Sequence, residues 1–218
     1  MHLSQHHAII NESVRWWDRK AAGYAKQPIA DMAAYEQKLA QTRAYLKPQS
    51  RVLEFGCGTG STALAHAPYV AHIDATDSSG NMIAIAREKA KQAAITNVTF
   101  TQASLAEVAA RPTRYDVVLG LNVVHLMNDW EESIRQAHSL LKPGGVFVSS
   151  TACIARAPLW MRLLLPLGGT LGLIPKVVVF THEALTAAMT DAGFQLRTNA
   201  MINHHGMTAF MIGQREKD

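Results

Sequence analysis

Three glycines at alternate positions, Gly56, Gly58 and Gly60, constrain this 218-residue chain more than any other stretch. The apolar segment Val52-Leu53-Glu54-Phe55 leads into them, and Ser61-Thr62-Ala63-Leu64-Ala65 leaves with helix-forming composition. The order is strand, tight turn, helix. Glycine lets the backbone turn sharply and lets a ligand approach main-chain atoms with no Cβ in the way. The next apolar run ends in Asp77, seventeen residues after Gly60. An acid at the tip of a second strand can accept hydrogen bonds from both hydroxyls of a ribose. The combination implies an α/β sheet holding a nucleoside-containing ligand.

Two such ligands compete. A dinucleotide turn carries a third glycine for close helix–strand packing, and Ser61 stands in that place. A pyrophosphate also wants helix N–H groups and no nearby negative charge, whereas Glu54 lies two residues before Gly56. An acid there suits a ligand with a cationic end, such as the amino group or sulfonium of S-adenosylmethionine. The pattern Glu54-x-Gly56-x-Gly58-x-Gly60 resembles the first motif of class I S-adenosylmethionine-dependent methyltransferases, with Cys57 inside the turn.

The resemblance runs from about Val14 to Phe147 and more loosely to the end. Ala75-Thr76-Asp77-Ser78-Ser79-Gly80-Asn81-Met82 is similar to the family's second motif, which implies that Asp77 and Ser78 meet the ribose and Met82 packs on adenine. Phe100-Thr101-Gln102-Ala103-Ser104-Leu105 is similar to the third. The family often has Asp where Ser104 stands, so an adenine contact from Ser104 would lack charge; Leu105 follows it in the pocket. Tyr115 to His125 resembles the fourth-strand motif and adds Leu121. Leu140 to Val148 resembles the turn into strand five. Trp17-Asp18-x-x-Ala21-x-x-Tyr24 resembles the family's N-terminal cap and implies a cofactor contact at Tyr24. The implied fold is a Rossmann-like, doubly wound, mostly parallel seven-stranded sheet with a C-terminal antiparallel hairpin. The implied cofactor is S-adenosylmethionine, with S-adenosylhomocysteine as product.

The chain reads as a single domain: a helical cap at 1–48, a cofactor-binding core at 49–150, an apolar lid at 151–182, and a helix with a strand hairpin at 183–218. Helices are expected from Asn11-Glu12-Ser13 to Lys47-Pro48, interrupted at Pro28, with Met32, Tyr35, Leu39 and Leu46 on one face. Strands are expected near 51–55, 72–76, 98–101, 115–121 and 145–150, then at Phe194–Met201 and Met207–Ile212 around a turn at Asn203-His204-His205-Gly206. Alternating strands and helices imply right-handed parallel crossovers, and the closely joined last pair must be antiparallel.

A net charge of +4 with scattered Lys and Arg argues against a nucleic-acid surface. Two cysteines, Cys57 and Cys153, suggest no disulfide framework, and no His/Cys spacing suggests a metal site. The first residues lack an apolar signal region, so the default expectation is cytoplasmic.

The 151–182 lid contains no Asp or Glu and is crowded with Leu, with Trp160 and Leu164 among them. It is too short and too interrupted by Pro and Gly to span a membrane. It reads as core packing, as one wall of an apolar acceptor pocket, or as a weak membrane-surface dock. Trp16 and Trp17 in the cap are candidate acceptor-side aromatics, able to offer a cation–π face. His125, just after strand four, is the candidate general base and a candidate acceptor contact, because ligands bind at that edge of open α/β sheets. The sequence supports methyl transfer to a small, apolar or aromatic molecule. A peripheral membrane enzyme acting on a lipid or quinone, and a non-catalytic cofactor-binding module, remain alternatives. Oligomeric state and acceptor atom stay open.

Overall fold

The computed structural model describes residues 2–153, 164, 168–169, 174–202 and 207–217, with only the backbone described for 2–11. The strands are β1 (Arg51–Phe55), β2 (His72–Asp77), β3 (Val98–Gln102), β4 (Tyr115–Leu121), β5 (Leu141–Ala152), β6 (Phe194–Ile202) and β7 (Thr208–Arg215). They form one sheet in the order β3-β2-β1-β4-β5-β7-β6. β1 to β5 are parallel, and β7 runs antiparallel to both β5 and β6.

Alternation along the strands explains why both faces must be covered. Val52, Val117, Leu119, Val146 and Val148 turn to one side, where Ile73, Ala86 and Phe210 complete a core. Leu53, Phe55, Val118 and Phe147 turn to the other and pack with Ile134, Leu185 and Met189. Each fully buried aliphatic or aromatic side chain contributes about 1.5–3 kcal/mol. The helices that cover these faces are α1 (His2–Tyr24), α2 (Met32–Arg43), α3 (Ser61–His66), α4 (Gly80–Gln92), α5 (Leu105–Ala109), α6 (Trp130–Ser139) and α7 (His182–Asp191). Four start on a side-chain cap: Asp31, Ser79, Ser104 and Thr181 accept from the backbone N–H of Ala34, Met82, Glu107 and Ala184. Such a cap stabilises a helix start by about 1 kcal/mol.

Three boundaries differ from the sequence reading. α1 begins at His2, so Asn11-Glu12-Ser13 lies inside a longer helix rather than at its start. α2 stops at Arg43, and Leu46 packs on the core from the turn before β1. β5 begins at Leu141, because the register slips between Tyr115 and Val117 and absorbs Pro143 and Gly144. Gly144, at φ +76°, supplies the bend. The hairpin turn at 203–206 and most of the 151–182 lid lie outside the described residues. Among the described residues, no helix is long and apolar enough to cross a membrane.

From β1 the chain builds outward through β2 to β3, then returns to the far side of β1 as β4. The carboxyl ends of β1 and β4 therefore flank a topological switch point, where open α/β sheets leave a crevice.

Candidate active site

The turn after β1 holds three positive-φ glycines, at +63°, +54° and +77°. Their surroundings differ. A Cβ on Gly56 would stand 2.3 Å from Val123 Cγ2, and one on Gly60 would stand 2.7 Å from the Phe100 ring. A Cβ on Gly58 would meet only Tyr24 Cε1, at 3.8 Å. Gly56 and Gly60 therefore let the turn nestle into the fold, while Gly58 presents bare backbone beneath the Tyr24 ring.

Asp77 fastens this turn from the next strand. Its Oδ2 accepts from Gly58 N at 2.9 Å and its Oδ1 from Ser79 N at 2.8 Å. Each carboxylate oxygen keeps acceptor capacity beyond those bonds. A further acid, Asp18 of α1, accepts from the Ser79 hydroxyl and from Asn81 N, the latter at 3.1 Å. Asn81 Nδ2 donates back to the Asp18 carbonyl at 3.0 Å. Through Asp18 the cap helix is latched to the start of α4.

Glu54 is 3 % exposed, and its Oε2 has no hydrogen-bond partner. Burial, and then the nearby Asp77 charge, push its carboxyl up to about 8. At neutral pH it holds its proton. Burial raises Asp77 as well, against the opposing pull of the Ser79 and Gly58 N–H groups.

A cavity of about 730 Å³ opens over these strand ends. Asp77, Ser78, Met82, Ser104 and Leu105 line the end beyond β2 and β3; Glu54, Gly56, Cys57 and Gly58 form its middle. Tyr24 covers that middle, and Leu121 lies toward β4. All the residues that the family resemblance marked for the cofactor thus border one space. Ser104 has limited capacity there. Its hydroxyl donates to Glu107 Oε2 at 2.7 Å and accepts from Glu107 N at 3.3 Å, closing a capping box.

The acceptor-side expectations divide. Trp17 lines the cavity, and its ring meets Tyr24 edge-on at 5.8 Å. Trp16 is not part of the lining; it packs edge-on against Trp17 at 4.9 Å. Leu164 is 55 % exposed and does not border the cavity. Trp160 lies outside the described residues.

His125 sits in a 3-10 turn at Val124–Leu126 and also does not border the cavity. Its backbone N–H donates to Thr151 Oγ1 at 3.1 Å, and its Nδ1 lies 3.0 Å from the same oxygen. Ala152 N points to Nδ1 at 3.5 Å, and Val178 N donates to the His125 carbonyl at 2.8 Å. Burial lowers the imidazole to about 4, so the ring is neutral near pH 7. The Nδ1 side of the ring is engaged within the chain. His125 ties β5 to the chain returning at Val178.

The sequence reading passed over Asp18 as a latch and Lys38 as a lining residue. Asp31, Ala34, Tyr35 and Lys38 border the cavity along α2, while Leu39 and Thr42 are buried. Positions 31, 34, 35 and 38 share one helix face, so the spacing was available as a signal. Lys38 Nζ donates to Ser150 Oγ at 3.5 Å, and burial lowers the basicity of its amine.

Comparison with known proteins gives this geometry a family. The ubiquinone biosynthesis O-methyltransferase of Proteus mirabilis is 30 % identical over 84 % of this chain and 72 % of its own length. The uncharacterized methyltransferase YcgJ of Bacillus subtilis is 30 % identical over 51 % of this chain, which spans 42 % of that relative. An uncharacterized Synechococcus protein is 34 % identical over 44 % of this chain, which spans 24 % of it. Among solved structures, magnesium protoporphyrin IX methyltransferase of Synechocystis with bound S-adenosylhomocysteine superposes with a TM-score of 0.69. It is 21 % identical, with 93 % of each chain covered. A family model described as a methyltransferase domain matches residues 24–199, from the Tyr24 lid over the turn to β6, and the chain belongs to the class I S-adenosylmethionine-dependent methyltransferases.

Proposed function

We propose that this chain transfers the methyl group of S-adenosylmethionine, by in-line displacement, to a small and largely apolar or aromatic acceptor. The observation that carries the reading is the buried Glu54 carboxyl, which borders the cavity with an unpartnered oxygen. An unsatisfied buried acceptor is costly, and an ammonium group would satisfy it. Asp77 offers its remaining lone pairs to ribose hydroxyls, Gly58 leaves the backbone open, and Met82 and Leu105 supply apolar surface for a base. These residues fit the cofactor. When bound, it supplies an electrophilic methyl on a sulfonium whose leaving group is a neutral thioether.

The chain's own contribution is positioning, which can remove several kcal/mol from a two-reactant barrier. Trp17 and Tyr24 roof the site, and the far wall is Leu121, Val123, Leu126 and Met127. The cavity volume is within the small-molecule range of about 300–1,000 Å³. Relatives named as O-methyltransferases favour oxygen as the acceptor atom. The cavity's carboxylates do not favour a polycation. Glu54 is reserved for the cofactor's ammonium, Asp31 caps α2, Asp77 holds the turn, Glu132 pairs with Arg135, and Asp129 has an interaction of its own.

Calorimetric titration with S-adenosylhomocysteine, followed by a methyl-transfer assay over hydrophobic and charged acceptors, tests the reading. Binding together with a preference for hydrophobic acceptors is expected. No binding, or a preference for charged hydrophilic acceptors, would overturn it.

A further inference from the structure

The turn after β1 divides the cavity into two halves. Asp77, Ser78 and Ser104 border the half beyond β2 and β3; Lys38 reaches the other, over the ends of β4 and β5. β2 and β5 are three strand spacings apart in the sheet, about 15 Å. Lys38 is therefore well separated from the acid that faces the ribose.

The second half mixes an apolar wall, Leu121, Val123, Leu126 and Met127, with polar groups, and Lys38 is the lysine among them. Lys38 Nζ lies 3.5 Å from the buried Ser150 Oγ, which lies 3.4 Å from Asn122 Oδ1. Asn122 follows β4 in a left-handed conformation, φ +57°, with its N–H on Ser150 O at 2.6 Å. Strained non-glycine backbone of this kind concentrates at functional sites. An ammonium has three donors, and Lys38 uses one, in a long bond. Among the described residues it has no carboxylate within ion-pair distance. Asp31 is the acid whose charge registers at Lys38, and its carboxylate is committed to Ala34 N at 2.9 Å. The other titratable groups around the cavity are Tyr35 on the same helix face, Tyr24 from α1, Glu54 from β1, Cys57 in the turn, Asp77 from β2, and Asp129 and Glu132 at α6. Glu54 carries its proton in the free chain and is matched by the cofactor's ammonium when that is bound, and Glu132 bonds Arg135 at 2.8 Å. The cavity's second lysine, Lys89, is held by Thr59 and Ser61 at 2.9 and 3.3 Å. A half-buried amine with unused donors is matched by an anionic oxygen.

We propose that Lys38 is a catalytic residue that binds the acceptor's hydroxyl oxygen in its ionised form, making the acceptor an acidic hydroxyl compound, a phenol or an enol. The proposal rests on the cofactor reading above. The O–H bond breaks and its electron pair stays on oxygen. The proton passes to the Lys38 amine where that is neutral, or to water at the cavity mouth where it is already an ammonium. The anion so held is the stronger nucleophile.

The test uses 4-nitrophenol, whose anion absorbs visible light, titrated against pH with the whole protein saturated in S-adenosylhomocysteine. An opposite charge at contact lowers an acid by about one unit or more, so bound nitrophenol is expected to ionise at least about one unit below the free compound. Lys38→Met should abolish that shift with S-adenosylhomocysteine affinity intact, and Lys38→Arg should keep most of it. Lys38→Gln gives the same readout if Lys38→Met fails to fold. A wild-type protein that leaves nitrophenol unbound or unshifted would overturn the proposal, as would a neutral variant that retains the shift. Absence of S-adenosylhomocysteine binding would instead overturn the cofactor reading, and this proposal with it.

Discussion

Replacing Glu54 by Gln tests the electrostatics of the site most directly. Its carboxyl rises from 4.5 to about 8 in the folded chain, through burial first and the Asp77 charge second. A raised acid favours the folded state in its protonated form. That contribution is complete below about pH 4.5 and is lost as pH climbs toward 8. A difference of about 3.5 units at about 1.4 kcal/mol per unit gives an upper bound of about 5 kcal/mol, which solvent relaxation reduces. Gln has no proton to lose, so the stability of Glu54→Gln relative to wild type should grow from pH 5 to pH 8. Denaturant melts across that range measure it. Asp77 titrates in both proteins, so the difference reports Glu54 together with its coupling to Asp77. The same residue should report cofactor binding. If a ligand ammonium draws the carboxyl well below 7, binding at pH 7 releases about 0.9 proton, the fraction held one unit below the titration point. Calorimetry with S-adenosylhomocysteine in buffers of different ionisation enthalpy counts that proton, and Glu54→Gln should not release it. Parallel stability curves together with equal proton release in the two proteins would refute the reasoning.

Asp77→Ala should weaken S-adenosylhomocysteine binding by about 1.5–3 kcal/mol, the range for hydrogen bonds to a charged group. It should also lower the melting temperature, because Gly58 N and Ser79 N lose their acceptor; an unchanged dissociation constant in folded protein would place the site elsewhere. Gly56→Ala should destabilise the chain by at least about 2 kcal/mol, since its Cβ meets Val123 at a positive φ. Gly58→Ala should cost less stability and more cofactor affinity, and equal melts for the two variants would count against this. Asp18→Ala should cost about 1–2 kcal/mol and quicken cofactor release in stopped-flow, by unlatching α1 from α4. His125→Asn should lower stability while leaving cofactor affinity unchanged, and a wild-type loss of stability as pH falls from 6.5 toward 4 should shrink with it.

The fold was legible because its signals are local. Apolar runs mark β1 and β4, the glycine turn marks the first crossover, and the short link between β6 and β7 forces an antiparallel pair. The cofactor side was legible for the same reason, since Glu54, Gly58 and Asp77 sit at fixed offsets from strand ends. What sequence did not disclose depends on contacts between distant segments. His125 ends a strand at the right edge, yet Thr151, a partner far along the chain, turns its ring into the structure. Asp18 reads as an ordinary helix residue until α4 comes to meet it. Lys38 lay on a visible helix face, but its meaning comes from Ser150, 112 positions away. The slip in β5 was hidden because Pro143-Gly144 reads equally as a turn or a bulge.

The clasp at His125 has an evolutionary consequence. One residue holds the chain where it leaves the sheet, through Thr151, and where it comes back, through Val178. The two ends of the intervening stretch are thus fixed by the core and not by its own sequence. Closing a loop between fixed ends costs only about 0.6 kcal/mol more for each doubling of its length. Changes of length between those two points, beyond the core residue Cys153 and short of Lys176, should therefore cost the scaffold little. The stretch can change length without a matching change in the sheet.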